Sequence, residues 1–336
     1  MSEPDASASS ASGPSHPLLP WLAALGVIVM WASSFIVIRA GGAHFSPGPM
    51  ALLRAGSAAL TLAPLALTGR IRLPRSGRVL AGVLAWGVAW FAAYMVVLNT
   101  AERSIDAATA AMLVNIAPLI VAVVSGLLFG EGLGPRLIAG ITVAFGGIVL
   151  ITVATSSGHV SAEGVLLGFV AALLYAGCVL LQKPLLAHVD SLSMTTVGIA
   201  AGAVACLPFA PGLLGDLSAA PAASIASMLY LGVVSTALAY LLWGYALTHA
   251  PAGVLSSSAL VIPAITVLMA WLILGEVPPP LAALGGALCL AGAAFAVGPS
   301  VLASLRRATG RRAARRRATD RLSTPPSRAA PSRESA

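Results

Sequence analysis

The chain has 336 residues, of which 58% are apolar and only 9% are charged, and its mean hydropathy is +0.93. Ordinary soluble domains carry about 25% charged residues, so this composition excludes a water-soluble globular protein and predicts a multi-pass membrane protein. The net charge of +8 does not indicate a nucleic-acid partner, because ten of the nineteen basic residues are arginines in the last segment of the chain, between positions 306 and 333.

Ten apolar segments are long enough to cross a bilayer, since a membrane-spanning helix needs about 20 residues. Their expected limits are 18–38, 47–67, 79–99, 106–129, 135–154, 163–183, 192–211, 223–246, 252–274 and 281–299. Residues 1–17 precede them as a Ser-, Ala- and Pro-rich tail without a basic residue, which argues against a cleaved signal peptide. Residues 300–336 follow them as an arginine-rich tail.

The segment from Asn115 to Glu131 recurs 145 residues later as Leu260 to Glu276, with a proline in mid-span and a Gly-Glu pair at the end of both copies. Five spans lie in each half, at 18–154 and 163–299. Because five is odd, the second half must cross the membrane in the opposite direction to the first. The predicted fold is therefore an all-α integral membrane protein with ten transmembrane helices in two inverted five-helix repeats.

Basic residues near the span ends predict the orientation. If the N-terminus is cytoplasmic, sixteen of the nineteen basic residues lie on the inner side: Arg70, Arg72, Arg75, Arg78, Arg136, Lys183 and the ten arginines of the tail. Only Arg39 and Arg103 lie outside, and Arg54 lies within a span. Because positive charge concentrates on the cytoplasmic side, we expect a plasma-membrane protein with both termini in the cytoplasm.

Over residues 20–299 the sequence resembles the EamA-type transporters of the drug/metabolite transporter superfamily. The resemblance rests on the WASSF motif at Trp31, the Leu53-Arg54 element and the duplicated proline span. It implies ten helices, cytoplasmic termini, a substrate path between the halves and export of small metabolites or toxic compounds. Tyr175 in place of Trp31 and Leu260 in place of Asn115 predict that the two walls of the path differ chemically.

Asn115 is the first candidate for the path, because it lies one turn before Pro118 and an unpaired amide is costly in hydrocarbon. Pro118 and Pro263 are expected to face each other across the path, as hinges or cavity markers, with simple kinked packing as the alternative. Arg54, about 10 Å from the outer end of its span, either binds an anionic substrate group or fastens helices. Further candidates for the path are Ser33, Ser34, Tyr94, Tyr175, Trp243 and Ser256, with close helix packing or interfacial placement as the alternative.

Glu131 and Glu276 are expected to have a structural role at helix ends, facing the N-terminal dipole of the next helix, with proton relay as the alternative. Glycines recur seven residues apart in the fifth and tenth spans and predict close helix packing, either within the chain or in a homodimer. The arginine-rich tail is expected to bind anionic lipid or to serve only as a topology signal.

The sequence has no phosphate-binding loop, no spacing typical of metal ligands and no converging catalytic groups, so we expect neither an enzyme nor a cofactor nor a metal. The acidic residues, Glu102 among them, fall near the ends of the predicted spans, which leaves proton coupling undecided. The predicted function is a secondary transporter that exports small amino-acid-like metabolites or drugs by alternating access. The alternatives are an uptake carrier or facilitator and, from another class, a non-transporting scaffold or a membrane enzyme.

Overall fold

The computed structural model describes residues 18–105, 107–129, 134–156, 158, 161–275 and 277–323, and this part of the chain is helical. Nine helical segments there are long and apolar enough to cross a membrane. In chain order, with the label α7 kept for a bent pair of helices, they are α1 (Leu19–Ile38), α2 (Pro47–Leu67), α3 (Gly77–Ser104), α4 (Thr109–Leu128), α5 (Pro135–Thr155), α6 (Ala162–Leu185), α8 (Ala222–His249), α9 (Ala252–Ile273) and α10 (Pro280–Ser300).

The seventh predicted span, 192–211, differs from the others. It is a pair of helices, Ser191–Ala205 and Leu207–Ala219, that meet at an angle of 46°. Pro208 lies in the 3-10 turn that starts the second helix, and proline cannot donate the backbone bond that would continue the first. The described residues therefore hold nine candidate spans, or ten when α7 is counted as one broken span.

Each proline span is interrupted immediately before its proline. In α4, one helix ends at Val114 and the next begins at Ala117. In α9, a 3-10 turn, Ala259–Val261, separates the helix Ala252–Ser258 from the helix Ile262–Leu274. A tightened backbone bond closes each break, with Ile116 N donating to Leu113 O at 3.1 Å in α4. Because proline has no N–H, the break places the tight turn where a regular helix would lose its bond.

The third and eighth spans each contain a π-helical turn, which the hydropathy pattern did not predict. The turns are Ala89–Tyr94 in α3 and Val233–Leu238 in α8, which begin 144 residues apart, as do the matching WASSFIVIR and YAGCVLLQK segments. A π turn inserts a residue into the helical repeat and shifts every side chain after it, and such turns are frequent at functional sites. Both copies of the repeat therefore carry the same local irregularity.

Glycine pairs bring α5 and α10 into backbone contact. Gly140 faces Gly292 and Gly147 faces Gly285, and a Cβ added at any of the four would overlap the backbone of the other helix. Small residues permit this approach in membranes, where packing and not the hydrophobic effect joins helices. The partner helix for these glycines thus belongs to the same chain.

The largest buried cluster joins the two halves. It includes Trp86 and Trp90 from α3 and Tyr240 and Trp243 from α8. Large aliphatic side chains elsewhere point outward, as shown by Leu127, which is 72% exposed. An apolar perimeter around a packed centre is the arrangement expected of helices surrounded by lipid tails.

Candidate functional site

A cavity of about 120 Å³ lies among helices of both halves. Its first-half wall comes from α1, α2, α3 and α4, and its second-half wall comes from α6, α8 and α9. On α1, the lining positions are Trp31, Ser34, Phe35 and Ile38. On α3, they include Met95, Leu98, Asn99 and Glu102. In both helices the intervals of three, four and seven residues place these side chains on one face, so one stripe of each helix is turned to the cavity.

Two of the lining residues are charged, and both are half-buried: Arg54 on α2 and Glu102 on α3. The guanidinium of Arg54 donates from Nε to Thr236 Oγ1 at 2.8 Å. Thr236 Oγ1 in turn donates to Leu231 O at 2.9 Å, which uses its only proton and leaves a lone pair directed to Arg54. Thr236, in the π turn of the second half, thereby fixes the guanidinium of Arg54, which belongs to the first half.

The amide side chains of Asn99 and Asn115 also line the cavity, and each is fixed through its nitrogen. Asn115 Nδ2 donates to Ala111 O at 2.7 Å, and Asn99 Nδ2 donates to Pro47 O at 3.1 Å. Asn115 lies at the break of α4 and lines the cavity there. Once the nitrogens are used in this way, the amide oxygens are the acceptors that these two residues offer to a ligand.

Three tyrosines line the cavity with almost fully buried rings. Tyr94, Tyr175 and Tyr240 are 7%, 8% and 3% exposed. Among the residues that the structure describes, none gives the three hydroxyl groups a hydrogen-bond partner. The three hydroxyl groups at the cavity are therefore available to bond a ligand or water.

An aromatic cluster lies beside the cavity and joins the halves. The ring of Trp31 lies 5.5 Å from Tyr240 and 5.3 Å from Trp243, between ring centroids. The ring of Trp90 lies 5.2 Å from Tyr240 and 5.6 Å from Tyr175. These distances fall within the range of favourable aromatic pairs, so the cluster closes the space next to the cavity with dense packing.

The structure brings six of the predicted path residues to the cavity: Ser34, Arg54, Tyr94, Asn115, Pro118 and Tyr175. The other four do not line it. Ser33 is bonded to the Tyr230 hydroxyl at 2.8 Å, Trp243 is 1% exposed behind Trp31, and Ser256 is fully buried. Pro263 follows the lining residue Ile262 but does not itself line the cavity, so Pro118 has no proline opposite it there. Glu131 and Glu276 lie outside the described residues.

Sequence reasoning missed Glu102 as a site residue, because the third span was expected to end at residue 99. The α3 helix continues to Ser104, and Glu102 therefore belongs to the stripe that begins at Met95. The spacing of Met95, Asn99 and Glu102 was a signal for this placement. Thr236 carried no such signal, because its contact with Arg54 joins residues 182 positions apart.

Comparisons with known proteins agree with this architecture. Residues 18–153 and 162–298 each match the model of the EamA-like transporter family. A probable terminal-alkyne amino-acid exporter of Streptantibioticus cattleyicolor is 35% identical over 269 residues, which cover 79% of this chain and 89% of that protein. A probable amino-acid metabolite efflux pump of Salmonella typhimurium is 25% identical, covering 80% of this chain and 91% of the pump.

Two further similarities extend the comparison. The uncharacterized transporter YdfC of Bacillus subtilis is 29% identical over 80% of this chain and 88% of its own length. A protein of known crystal structure superposes with a TM-score of 0.68 at 18% identity, covering 82% of this chain and 96% of that one, which shows a shared fold. The two family matches together span most of the chain, and the chain belongs to the EamA-like transporter family.

Proposed function

We propose that this membrane transporter exports small amino-acid-like metabolites or drugs through the cavity by alternating access of its two halves. The observation that carries the proposal is the cavity itself, because both halves line it and two opposite charges lie within its membrane-spanning helices. Charged groups inside a membrane are costly and mark substrate pathways. A scaffold would have no use for them.

The proposed topology has ten crossings, with α7 as one broken span, and both termini in the cytoplasm. The excess of basic residues on one side supports this orientation. In that topology, α2 begins outside at Pro47 and α3 ends outside at Ser104. Arg54 lies seven residues, about 10 Å, inward from Pro47, and Glu102 lies two residues before Ser104. In this topology the cavity therefore belongs to the outer half of the membrane.

The aromatic cluster supplies the closed side of the proposed path. Trp90 and Trp243 are 0% and 1% exposed, and they come from opposite halves of the chain. For the cavity to reach the cytoplasm, these rings must separate. The breaks in α4 and α9 and the π turns in α3 and α8 are the places where the helices can bend with the fewest regular backbone bonds to lose.

The proposed substrate class and direction are supported by the relatives. Those from Streptantibioticus cattleyicolor and Salmonella typhimurium are named as an amino-acid exporter and an amino-acid metabolite efflux pump. The cavity suits a compact polar molecule, because amide and hydroxyl groups lie beside apolar side chains such as Phe35 and Leu98.

Counterflow in proteoliposomes tests the proposal. Vesicles that hold one unlabelled compound from a panel of amino acids and drugs would be diluted into the same compound with a label. We expect labelled substrate to accumulate for at least one amino-acid-like compound, and protein-free vesicles to show none. Folded protein that moves no compound in the panel would exclude transport through this cavity.

A second measurement separates export from passive equilibration. Inverted membrane vesicles energised with a proton gradient should accumulate the substrate if the protein drives it out of the cell. Movement that stops at equal concentrations with or without the gradient identifies a facilitator instead.

A further inference from the structure

The cavity carries more hydrogen-bonding capacity than the protein uses. Arg54 has five N–H donors, and its one hydrogen bond to a described residue occupies Nε. Its terminal nitrogens, the hydroxyls of Tyr94, Tyr175 and Tyr240, and the amide oxygens of Asn99 and Asn115 surround the same small space. All three tyrosines are more than nine-tenths buried, so a ligand that satisfies them gains much more than it would from water-exposed groups.

The two charges indicate the kind of ligand. Arg54 and Glu102 are the charged residues of the cavity lining, and they attract each other across it. Within the described residues they form no ion pair, since the one hydrogen bond of Arg54 goes to Thr236. Two opposite charges that share a cavity and do not neutralise each other fit a molecule that carries both signs. A guanidinium binds a carboxylate through two parallel bonds, and a carboxylate accepts bonds from an ammonium group.

The remaining walls fit the rest of such a molecule. Phe35, Ile38, Leu98 and Ile262 offer apolar surface beside the charged groups. A ligand that met them with a second strong charge would lose hydration without gaining a partner, because the described lining holds no further cation or carboxylate. The cavity therefore favours one positive group, one negative group and an apolar side chain.

We propose that the cavity binds a free α-amino acid as its zwitterion, with the carboxylate on Arg54, the α-ammonium on Glu102 and an apolar side chain against the aliphatic and aromatic wall. The proposal rests on the transport function above and assigns the groups that select its substrate. Both charges of the ligand are needed at once, because a ligand that lacks one of them leaves a protein charge unpaired in a half-buried site.

Thr236 is a positioning residue in this arrangement. Its hydroxyl accepts from Arg54 Nε and donates to Leu231 O, so the guanidinium is held by the edge that a carboxylate does not need. The terminal nitrogens then point their paired N–H groups away from Thr236 and toward the ligand. The π turn that contains Thr236 thus connects carboxylate binding in the first half with helix geometry in the second.

Binding to the purified full-length protein in lipid nanodiscs tests the assignment by calorimetry. The probes are leucine, methionine and phenylalanine, each with its amide, which lacks the carboxylate, and its des-amino acid, which lacks the ammonium group. We expect at least one amino acid to bind about 10–100-fold more tightly than both of its analogues, because each analogue loses one set of charge-assisted hydrogen bonds.

Variants assign each charge. In Arg54→Gln the preference for the amino acid over its amide should fall to near unity, and in Glu102→Gln the preference over the des-amino acid should fall likewise. Thr236→Val should weaken amino-acid binding about tenfold with little change for the amide. Thr236→Ser, which keeps the hydroxyl, should restore the wild-type preference. Melting temperatures and size-exclusion profiles of the variants confirm that they are folded.

The results separate this proposal from the transport function. If none of the three amino acids binds, or if the amides and des-amino acids bind as tightly, the zwitterion assignment is overturned even when counterflow shows transport of another compound. If a folded Arg54→Gln variant keeps the full preference over the amide, the role of Arg54 is overturned. If amino acids bind with the expected selectivity but no compound moves in counterflow, the transport proposal fails and the site assignment stands.

Discussion

The two halves share a backbone plan but differ sharply in the side chains that they place at corresponding positions. Glu102 and Asn115 line the cavity in the first half. The residues 145 positions later are Leu247 and Leu260, and both are fully buried. Gly198 lies 144 positions after Arg54 and packs against Trp86 and Gly87 of α3. Polar groups of one copy thus correspond to packing residues in the other.

This difference separates the backbone features that both copies share, here called the framework, from the polar side chains that line the cavity. Backbone features occur in both copies: the break before each proline, the π turn and the glycine contacts of α5 and α10. Both charges of the cavity come from one copy. In the proposed mechanism the duplicated backbone forms the two moving halves, and the single set of charges gives the ligand one orientation. We therefore expect changes at framework positions to have equal effects in both halves and changes at cavity positions to have unequal ones.

The largest effect is expected at the glycine crossing. Gly147→Leu and Gly292→Leu should both abolish the yield of folded protein, because each new side chain would overlap the backbone of the opposite helix. The two helices cannot separate at one position without losing the whole contact. The yield of monodisperse protein in size-exclusion chromatography measures this.

Gly146→Leu is the matched control for the glycine crossing. A Cβ at Gly146 meets no atom within 4 Å, so this variant should accumulate normally. Unequal losses at Gly147 and Gly292 would show that the two halves do not share the framework equally.

A reciprocal exchange tests the cavity positions. Asn115→Leu should reduce transport about tenfold, because it removes an acceptor from the site, and should leave the melting temperature nearly unchanged. Leu260→Asn should instead destabilise the protein, since it buries an unpaired amide at a cost of about 1–3 kcal/mol.

Transport rates and melting temperatures of both variants decide the outcome of the exchange, with Leu260→Met as a control that preserves volume. If Leu260→Asn lowers transport at normal stability, the second copy also contributes to recognition and the comparison is wrong in that respect.

The framework was largely readable from the sequence because it depends on local patterns. The lengths of the apolar segments located the nine candidate spans and the bent pair of helices. The repeat around Pro118 and Pro263 located both helix breaks. The glycine spacing of α5 and α10 predicted close helix packing, and the structure identifies the two helices as each other's partner. Asn115 could be selected because a single amide in an apolar span has few explanations.

The rest of the site depends on distances that the sequence does not contain. Whether a serine faces the cavity or a neighbouring helix is decided by helix rotation, so Ser34 reached the cavity and Ser33 bonded to Tyr230 instead. The π turns shift the side chains beyond residue 94 and beyond residue 238, and no composition signal marks them. Glu102 lines the cavity because α3 continues past residue 99 to Ser104.

An effect confined to stability is expected at Lys183, a second-half cation near the C-terminal end of its span. Lys183 of α6 donates from Nζ to Leu247 O at 2.8 Å and to Ala250 O at 2.6 Å, at the end of α8. Lys183→Met should therefore lower the free energy of unfolding by about 1.5–3 kcal/mol without changing substrate selectivity. Thermal unfolding in detergent measures the first quantity and competition between leucine and leucinamide measures the second. Altered selectivity would place a second-half charge in the recognition chemistry that we assign to the first half alone.

The smallest effect is expected for the arginine-rich tail, which belongs to neither half. Truncation after Ser304 removes ten arginines but leaves six basic residues on the proposed inner side against two outside, so the orientation should not change. A green fluorescent protein fused to the shortened chain should fluoresce, since it folds in the cytoplasm, and transport should match that of the full chain. Loss of fluorescence would mean that the tail fixes the orientation of the two halves. Normal orientation with weaker binding of the purified protein to anionic vesicles would instead assign the tail to the lipid surface, where each basic residue contributes about 1 kcal/mol.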